Sequence, residues 1–130
     1  MNEHEICTPN ANILVADDTH DKLRLLSGIL TKQGYIVRPV PDGAVALLSA
    51  QKVTPDLILL DIMMPDMSGF EVCEKLKTDE RTREIPIIFI SALNEVFDKV
   101  KAFALGGVDY ITKPFQVEEV LARVETHLAI

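Results

Sequence analysis

What this chain of 130 residues lacks narrows the field first. Thiols are scarce: Cys7 and Cys73 show no metal or redox spacing, so neither a disulfide framework nor a thiolate metal site underlies the fold. Cys73, in a helical pattern with Leu76, reads as a small semi-buried packing residue. No apolar run approaches the length of a membrane span, and "MNEHEICTPN" carries acids where a secretion signal carries bases. Cytoplasmic location is the expectation that follows. Positive charge is short as well, with thirteen Lys and Arg against twenty Asp and Glu and a formal charge of -7. Such an excess repels phosphate backbones and anionic lipid, so direct nucleic-acid or membrane binding is disfavoured and a cation or basic partner is favoured.

What is there has the composition of an ordinary globular protein, 48% hydrophobic and 25% charged, with seven prolines and six glycines spread along the chain. At this length one domain buries a core without covalent staples. Residues 1–10 are expected to form a flexible tail and residues 11–130 the domain.

Short aliphatic runs alternate with stretches of helical period. "NILVA" precedes Thr19 to Gln33, "YIVRPV" precedes Gly43 to Gln51, and "DLILLD" precedes Gly69 to Lys77. "IPIIFIS" then precedes Glu95 to Leu105, and "DYITK" precedes Val117 to Leu128. Runs such as "LILL" and "IIFI", apolar at every position, fit parallel strands covered on both faces. The last helix keeps one apolar stripe through Val117, Val120, Leu121, Val124 and Leu128. The fourth places Val96, Val100 and Phe103 on one side, and "LGG" at 105–107 stops it. Five β–α units predict an α/β three-layer sandwich with right-handed crossovers.

In such a sheet the functional crevice lies outside the C-terminal strand ends. The first strand exits at Asp17 and Asp18, the third at Asp61, the fourth at Ser91 and Ala92, and the fifth leads to Lys113. Singly, each residue has an ordinary explanation: Asp18 with Thr19 as a helix cap, Asp61 as a turn former, Ser91 as a cap, Lys113 as a solvated surface lysine. Jointly they bring three carboxylates, a hydroxyl and an ammonium to one edge. Two bare carboxylates about 4 Å apart repel by roughly 4 kcal/mol at an effective dielectric of 20, so the cluster calls for a cation. Hard oxygen ligands point to Mg²⁺, and Mg²⁺ beside an aspartate points to phosphoryl chemistry.

The motifs "ILVADD", "LILLDIMMPDMSGFEV", "IPIIFISA" and "GGVDYITKPF" together resemble the receiver domain of two-component response regulators, across residues 11 to 129. The resemblance implies a doubly wound, five-stranded parallel sheet in the order 2-1-3-4-5 with five helices, the flavodoxin-like, CheY-like arrangement. It places the phosphate acceptor at Asp61, with Asp17, Asp18, Asp61 and the backbone carbonyl of Met63 around Mg²⁺. It assigns the conserved hydroxyl to Ser91, the conserved lysine to Lys113, with a cis Lys113–Pro114 peptide, and the switch aromatic to Tyr110. The implied donor is a phosphohistidine on a sensor histidine kinase or phosphotransfer domain. Phosphorylation is expected to draw in Ser91, turn Tyr110 inward from a solvent-facing rotamer, and alter the surface of the fourth helix, fifth strand and fifth helix. Such a domain catalyses its own phosphorylation and dephosphorylation without being a conventional turnover enzyme.

In the "MMPDMSG" loop, Met64 and Pro65 are expected to fix the path and Gly69 to permit an awkward φ, while the small Ala92 leaves access to the phosphorus. Two positions depart from the family pattern. Ala16 stands where valine often ends the first strand, and Gly107 where alanine is usual, which suggests a looser entry to the fifth strand. His4, His20 and His127 have no metal spacing and read as surface residues. "LARVETHLAI" resembles receivers whose last helix continues into a signalling helix before an effector, so the output could lie in the same chain or in a separate target. A phosphorylation-dependent dimer is left open.

Three other functions compete. A flavodoxin-type module would need hydroxyls, glycines and free N–H groups after the first strand, where this chain has "ADDTHD". A pseudo-receiver, which interacts without phosphorylation, usually lacks an acid or the lysine. A dehalogenase-like aspartyl phosphatase expects an aspartate two residues after the nucleophile, and position 63 is methionine.

Overall fold

The computed structural model describes residues 10–93 and 95–129. Five strands alternate with five helices: β1 (Asn12–Ala16), α1 (His20–Lys32), β2 (Ile36–Val40), α2 (Gly43–Lys52), β3 (Leu57–Asp61), α3 (Gly69–Lys77), β4 (Ile87–Ser91), α4 (Val96–Ala104), β5 (Asp109–Thr112) and α5 (Val117–Ala129). The strands form one parallel sheet in the order β2-β1-β3-β4-β5, as expected. Element boundaries fall within a residue or so of the sequence reading. Thr19 and Glu95, for example, sit just outside their helices as caps.

Alternation along the strands divides the core in two. Leu14, Ile58, Leu60, Ile87 and Phe89 face α2, α3 and α4, where they meet Ala46, Ala50, Val72, Leu76 and Ala102. Ile13, Val15, Leu57, Leu59, Ile88, Ile90 and Ile111 face α1 and α5, where they meet Leu26, Leu30, Val120 and Val124. Every residue of β3 and β4 is buried, which is why those runs are apolar at each position. β2 lies at the edge, and its Pro39 falls where a missing N–H costs the sheet little.

Four expectations about packing need correction. The α4 stripe does not face the core: Val96 and Phe97 are each 75% exposed, Val100 60% and Phe103 50%, and only Ala102 is buried. Phe89 and Tyr110 already fill the sheet face on that side, so the helix meets it through a small side chain. In α5, Val120 and Val124 are buried and Leu121 and Leu128 partly so, whereas Val117 is 42% exposed. Gly107 does not loosen the entry to β5, because a Cβ there would stand 2.7 Å from the Phe89 ring and 3.0 Å from the Ala102 carbonyl oxygen. Cys73 is fully buried rather than semi-buried; its thiol donates to the Leu105 carbonyl at 3.4 Å, and burial pushes it up to about 11.

The stop of α4 is as expected, with Gly106 at φ +110° just past the C-cap Leu105. Of the expected tail, residues 1–9, with His4 and Cys7, lie outside the described residues. Asn10 donates its N–H to the Gly34 carbonyl at 2.9 Å.

Candidate functional site

The parallel strands end on one edge, and the residues singled out in the sequence gather there. Asp17 follows β1, is wholly buried, and accepts the Thr19 N–H on Oδ1 at 2.9 Å. Asp61 ends β3, is 3% exposed, and accepts the Met63 N–H on Oδ1 at 3.4 Å. Asp18 stands exposed at the rim. Lys113 follows β5 across a cis bond to Pro114, and its N–H donates to the Ser91 carbonyl at 2.7 Å. Its Nζ, nearly buried, lies 3.0 Å from Asp17 Oδ2 and 3.5 Å from Asp61 Oδ2.

Charge does not balance here. Burial pushes the Asp61 carboxyl up to about 6; Lys113 pulls it down, Asp17 pushes it up again, and the Met63 N–H pulls it down. Carboxylate oxygens of Asp17, Asp18 and Asp61 all lie within 4.8 Å of one another, against the single ammonium of Lys113. Three hard oxygen donors, two of them buried and the third open to solvent, fit a small divalent cation that keeps some of its waters.

Ser91 ends β4, wholly buried, and its Oγ accepts the Leu93 N–H at 3.2 Å. The Tyr110 hydroxyl donates to the carbonyl of the same Leu93 at 2.6 Å. Tyr110 is therefore already turned inward, 7% exposed, rather than in the solvent-facing rotamer expected for a resting state. The ring completes the core beside Phe89, and the carbonyl satisfies the phenol that burial would otherwise strand.

The loop from Ile62 to Ser68 shapes the mouth. Met64 is buried, whereas Met63 and Pro65 are exposed, and Ser68 caps α3 by accepting the Glu71 N–H at 3.2 Å. Gly69 is required here for a different reason from the one expected. Its φ is not in the left-handed region, but an added Cβ would collide with the Asp61 carbonyl oxygen and stand 2.8 Å from Ile62 Cα. Beside the acids lies a largely apolar hollow of about 570 Å³, lined by Asp18, Ile62, Met63, Met64, Pro65, Ser68, Phe70 and Leu93.

Sequence reasoning missed two arrangements. Asp66, in the same loop, accepts the Gly43 N–H at 3.2 Å and the Ala44 N–H at 3.0 Å from the start of α2. Nothing in the local pattern marks a contact across more than twenty residues. His127 is not a free surface residue, for its Nε2 lies 3.0 Å from Asp109 Oδ2, and Arg123 Nη1 donates to both oxygens of Asp109 at 2.9 and 3.0 Å. The i, i+4 spacing of Arg123 and His127 on α5 was the available signal. His20 is exposed, as expected.

Comparison with known proteins agrees with this geometry. The family model described as "Response regulator receiver domain" matches residues 13–125. The chain is 45% identical to the "DNA-binding dual master transcriptional regulator RpaA" of Synechocystis sp., over 89% of this chain and 48% of that protein. It is 44% identical to "Response regulator PleD" of Caulobacter vibrioides, over 90% of this chain and 26% of that one. The chain thus spans about half the length of the first relative and about a quarter of the second. Among solved structures, chemotaxis protein CheY4 of Vibrio cholerae superposes with a TM-score of 0.85 at 30% identity, covering 89% of this chain and 97% of that one. With sheet order, acidic crevice and family match in agreement, the chain belongs to the response regulator receiver domains of two-component signalling.

Proposed function

We propose that residues 11–130 are a phosphoacceptor module in which Asp61 takes a phosphoryl group from a phosphohistidine on a sensor histidine kinase or phosphotransfer domain. The observation that carries this reading is the convergence of Asp17, Asp18 and Asp61 within 4.8 Å, with Lys113 Nζ between the two buried acids. An Asp61 carboxylate oxygen attacks phosphorus as the P–N bond to the donor imidazole breaks; the bond pair stays on that nitrogen and, with the other ring nitrogen of the phosphohistidine protonated, the leaving group is a neutral imidazole and the product an acyl phosphate. Mg²⁺, held by Asp17, Asp18, Asp61 and the Met63 carbonyl, would supply charge neutralisation for the incoming phosphoryl oxygens. Lys113 is within reach of the same carboxylate and turns from Asp17 toward the new anion. Ser91, on the neighbouring strand end, exchanges its Leu93 N–H for a phosphoryl oxygen to which its hydroxyl donates. Ala92 leaves the approach open.

The output follows from Leu93. Its N–H is held by Ser91 and its carbonyl by Tyr110, so a movement of Ser91 pulls on the segment entering α4. The exposed face of α4, with β5 and α5, is then the surface that an effector in the same polypeptide, a separate target or a second copy reads. RpaA is described as DNA-binding; the -7 charge here assigns any comparable output to a partner or to another segment. A cytoplasmic setting is part of this proposal; no helix among the described residues is long and apolar enough to cross a membrane.

Incubation with Mg²⁺ and a small acyl-phosphate donor, followed by intact-mass measurement, tests this reading. Wild type should gain one phosphoryl group, and Asp61→Asn none. Equal gain in both, or gain in neither, removes Asp61 as acceptor and in the latter case favours the pseudo-receiver.

A further inference from the structure

The loop between β3 and α3 is fixed at its ends by strand and helix, since Gly69 donates its N–H to the Ile62 carbonyl at 2.8 Å and closes the base. At its crest Met63, Pro65 and Asp66 are exposed, and Met64 between them is the side chain that packs into the core. Besides that packing, a hydrogen-bonded tie runs from the crest to a distant element. Asp66 spreads its two carboxylate oxygens over the N–H groups of Gly43 and Ala44, the first two residues of α2, and those donors hold its carboxyl below the ordinary range. The same helix already has its own cap, because Asp42 accepts the Val45 N–H at 2.9 Å. That cap leaves the Gly43 and Ala44 N–H groups without an intrahelical partner, and the carboxylate that takes them comes from another loop, so satisfying the helix end also ties that loop to it. The approach is close as well: a Cβ on Gly43 would stand 3.0 Å from Met67 Cβ and 3.2 Å from the Met67 carbonyl.

The geometry points to Asp66 as a positioning residue for the cation: by clamping the crest to α2, it restrains the loop that carries Met63, whose carbonyl is the proposed backbone ligand beside Asp17, Asp18 and Asp61. This inference rests on the proposed Mg²⁺ site. Asp66 touches neither the metal nor the phosphoryl group and acts through the loop. Without the clamp the crest samples other conformations, and apparent affinity falls in proportion to the fraction that remains competent.

Two aspartates that accept N–H groups of the same first turn of α2 make the test specific. Mg²⁺ titration of the ¹⁵N-labelled chain, followed through the amide signals of residues 61–63, should give a dissociation constant about fivefold weaker for Asp66→Ala, as for a competent fraction of roughly one in five. Asp66→Asn, which keeps one acceptor oxygen, should fall between the two and serves if the alanine variant unfolds. Asp42→Ala should lower the thermal midpoint yet leave the dissociation constant within about twofold, since it removes a cap without freeing the loop. Unchanged affinity in both Asp66 variants, or equal weakening in the Asp66 and Asp42 variants, overturns the inference and leaves the metal site standing. Absence of any saturable Mg²⁺ response in wild type removes the metal site and the inference together.

Discussion

β5 has a cluster of charged side chains at each end, and the two are built to opposite effect. At its C-terminal end Lys113 faces Asp17 and Asp61, with Asp18 nearby, so one cation stands against three acids and Asp61 is pushed up to about 6. At its N-terminal end Asp109 receives the Tyr110 N–H, both contacts from Arg123 Nη1, and His127. Burial alone would raise the Asp109 carboxyl, but those donors together hold it below the ordinary value. Both clusters contain ion pairs, so a pair is no mark of a site. An acid left short of partners in a buried position is such a mark, because the fold bears its cost and a ligand can relieve it.

That contrast can be broken, most sharply through the backbone. Gly69→Ala sets a Cβ against the Asp61 carbonyl and Ile62 Cα, atoms that cannot swing aside, and should cost about 3 kcal/mol by urea denaturation. Gly107→Ala meets first the buried Phe89 ring, a side chain, with the Ala102 carbonyl oxygen farther off at 3.0 Å, and should cost about 1–2 kcal/mol. If the two glycines proved equally tolerant, the tighter build of the site end would be refuted.

The next effects differ in sign. Without Mg²⁺, Asp61→Asn removes a charge whose burial costs more than Lys113 and the Met63 N–H return, and should raise stability by about 1–3 kcal/mol at pH 7. Asp109→Asn removes a well-donated carboxylate and should lower stability by about 1–2 kcal/mol. Urea midpoints of the two variants moving in the same direction would erase the distinction.

The smallest effect lies in the acid limb. Asp109 has a folded-state pKa depressed below its unfolded value, so its stabilising contribution is present above the unfolded pKa near ~3.9 and is lost as pH falls through the folded one. Wild type should therefore lose more stability than Asp109→Asn over that acid interval. Parallel pH profiles for the two proteins would show that Asp109 is not held as the contacts indicate.

Much of this was legible beforehand for definite physical reasons. β3 and β4 were readable because strands buried on both faces tolerate no polar residue, and Asp61 and Ser91 were conspicuous as the first polar side chains after those runs. The α4 stripe misled because a helical period reports that one side is apolar and says nothing about which way that side turns. Val96, Val100 and Phe103 could be assigned to solvent only once Phe89 and Tyr110 were seen to occupy the sheet face. Gly69 was correctly singled out on a mistaken ground, since a close backbone approach leaves no trace in local sequence.

Local chemistry along the chain was enough to settle the order of elements, the burial of the central strands and the kinds of reactive group at their ends, since each depends on neighbours a few residues away. Folding settled the partnerships: Lys113 with Asp17 across 96 residues, Asp66 with the first turn of α2, and Tyr110 with Leu93. Those contacts depend on which strand lies beside which and on the side chains already filling the space between, and neither is encoded within any one stretch of sequence.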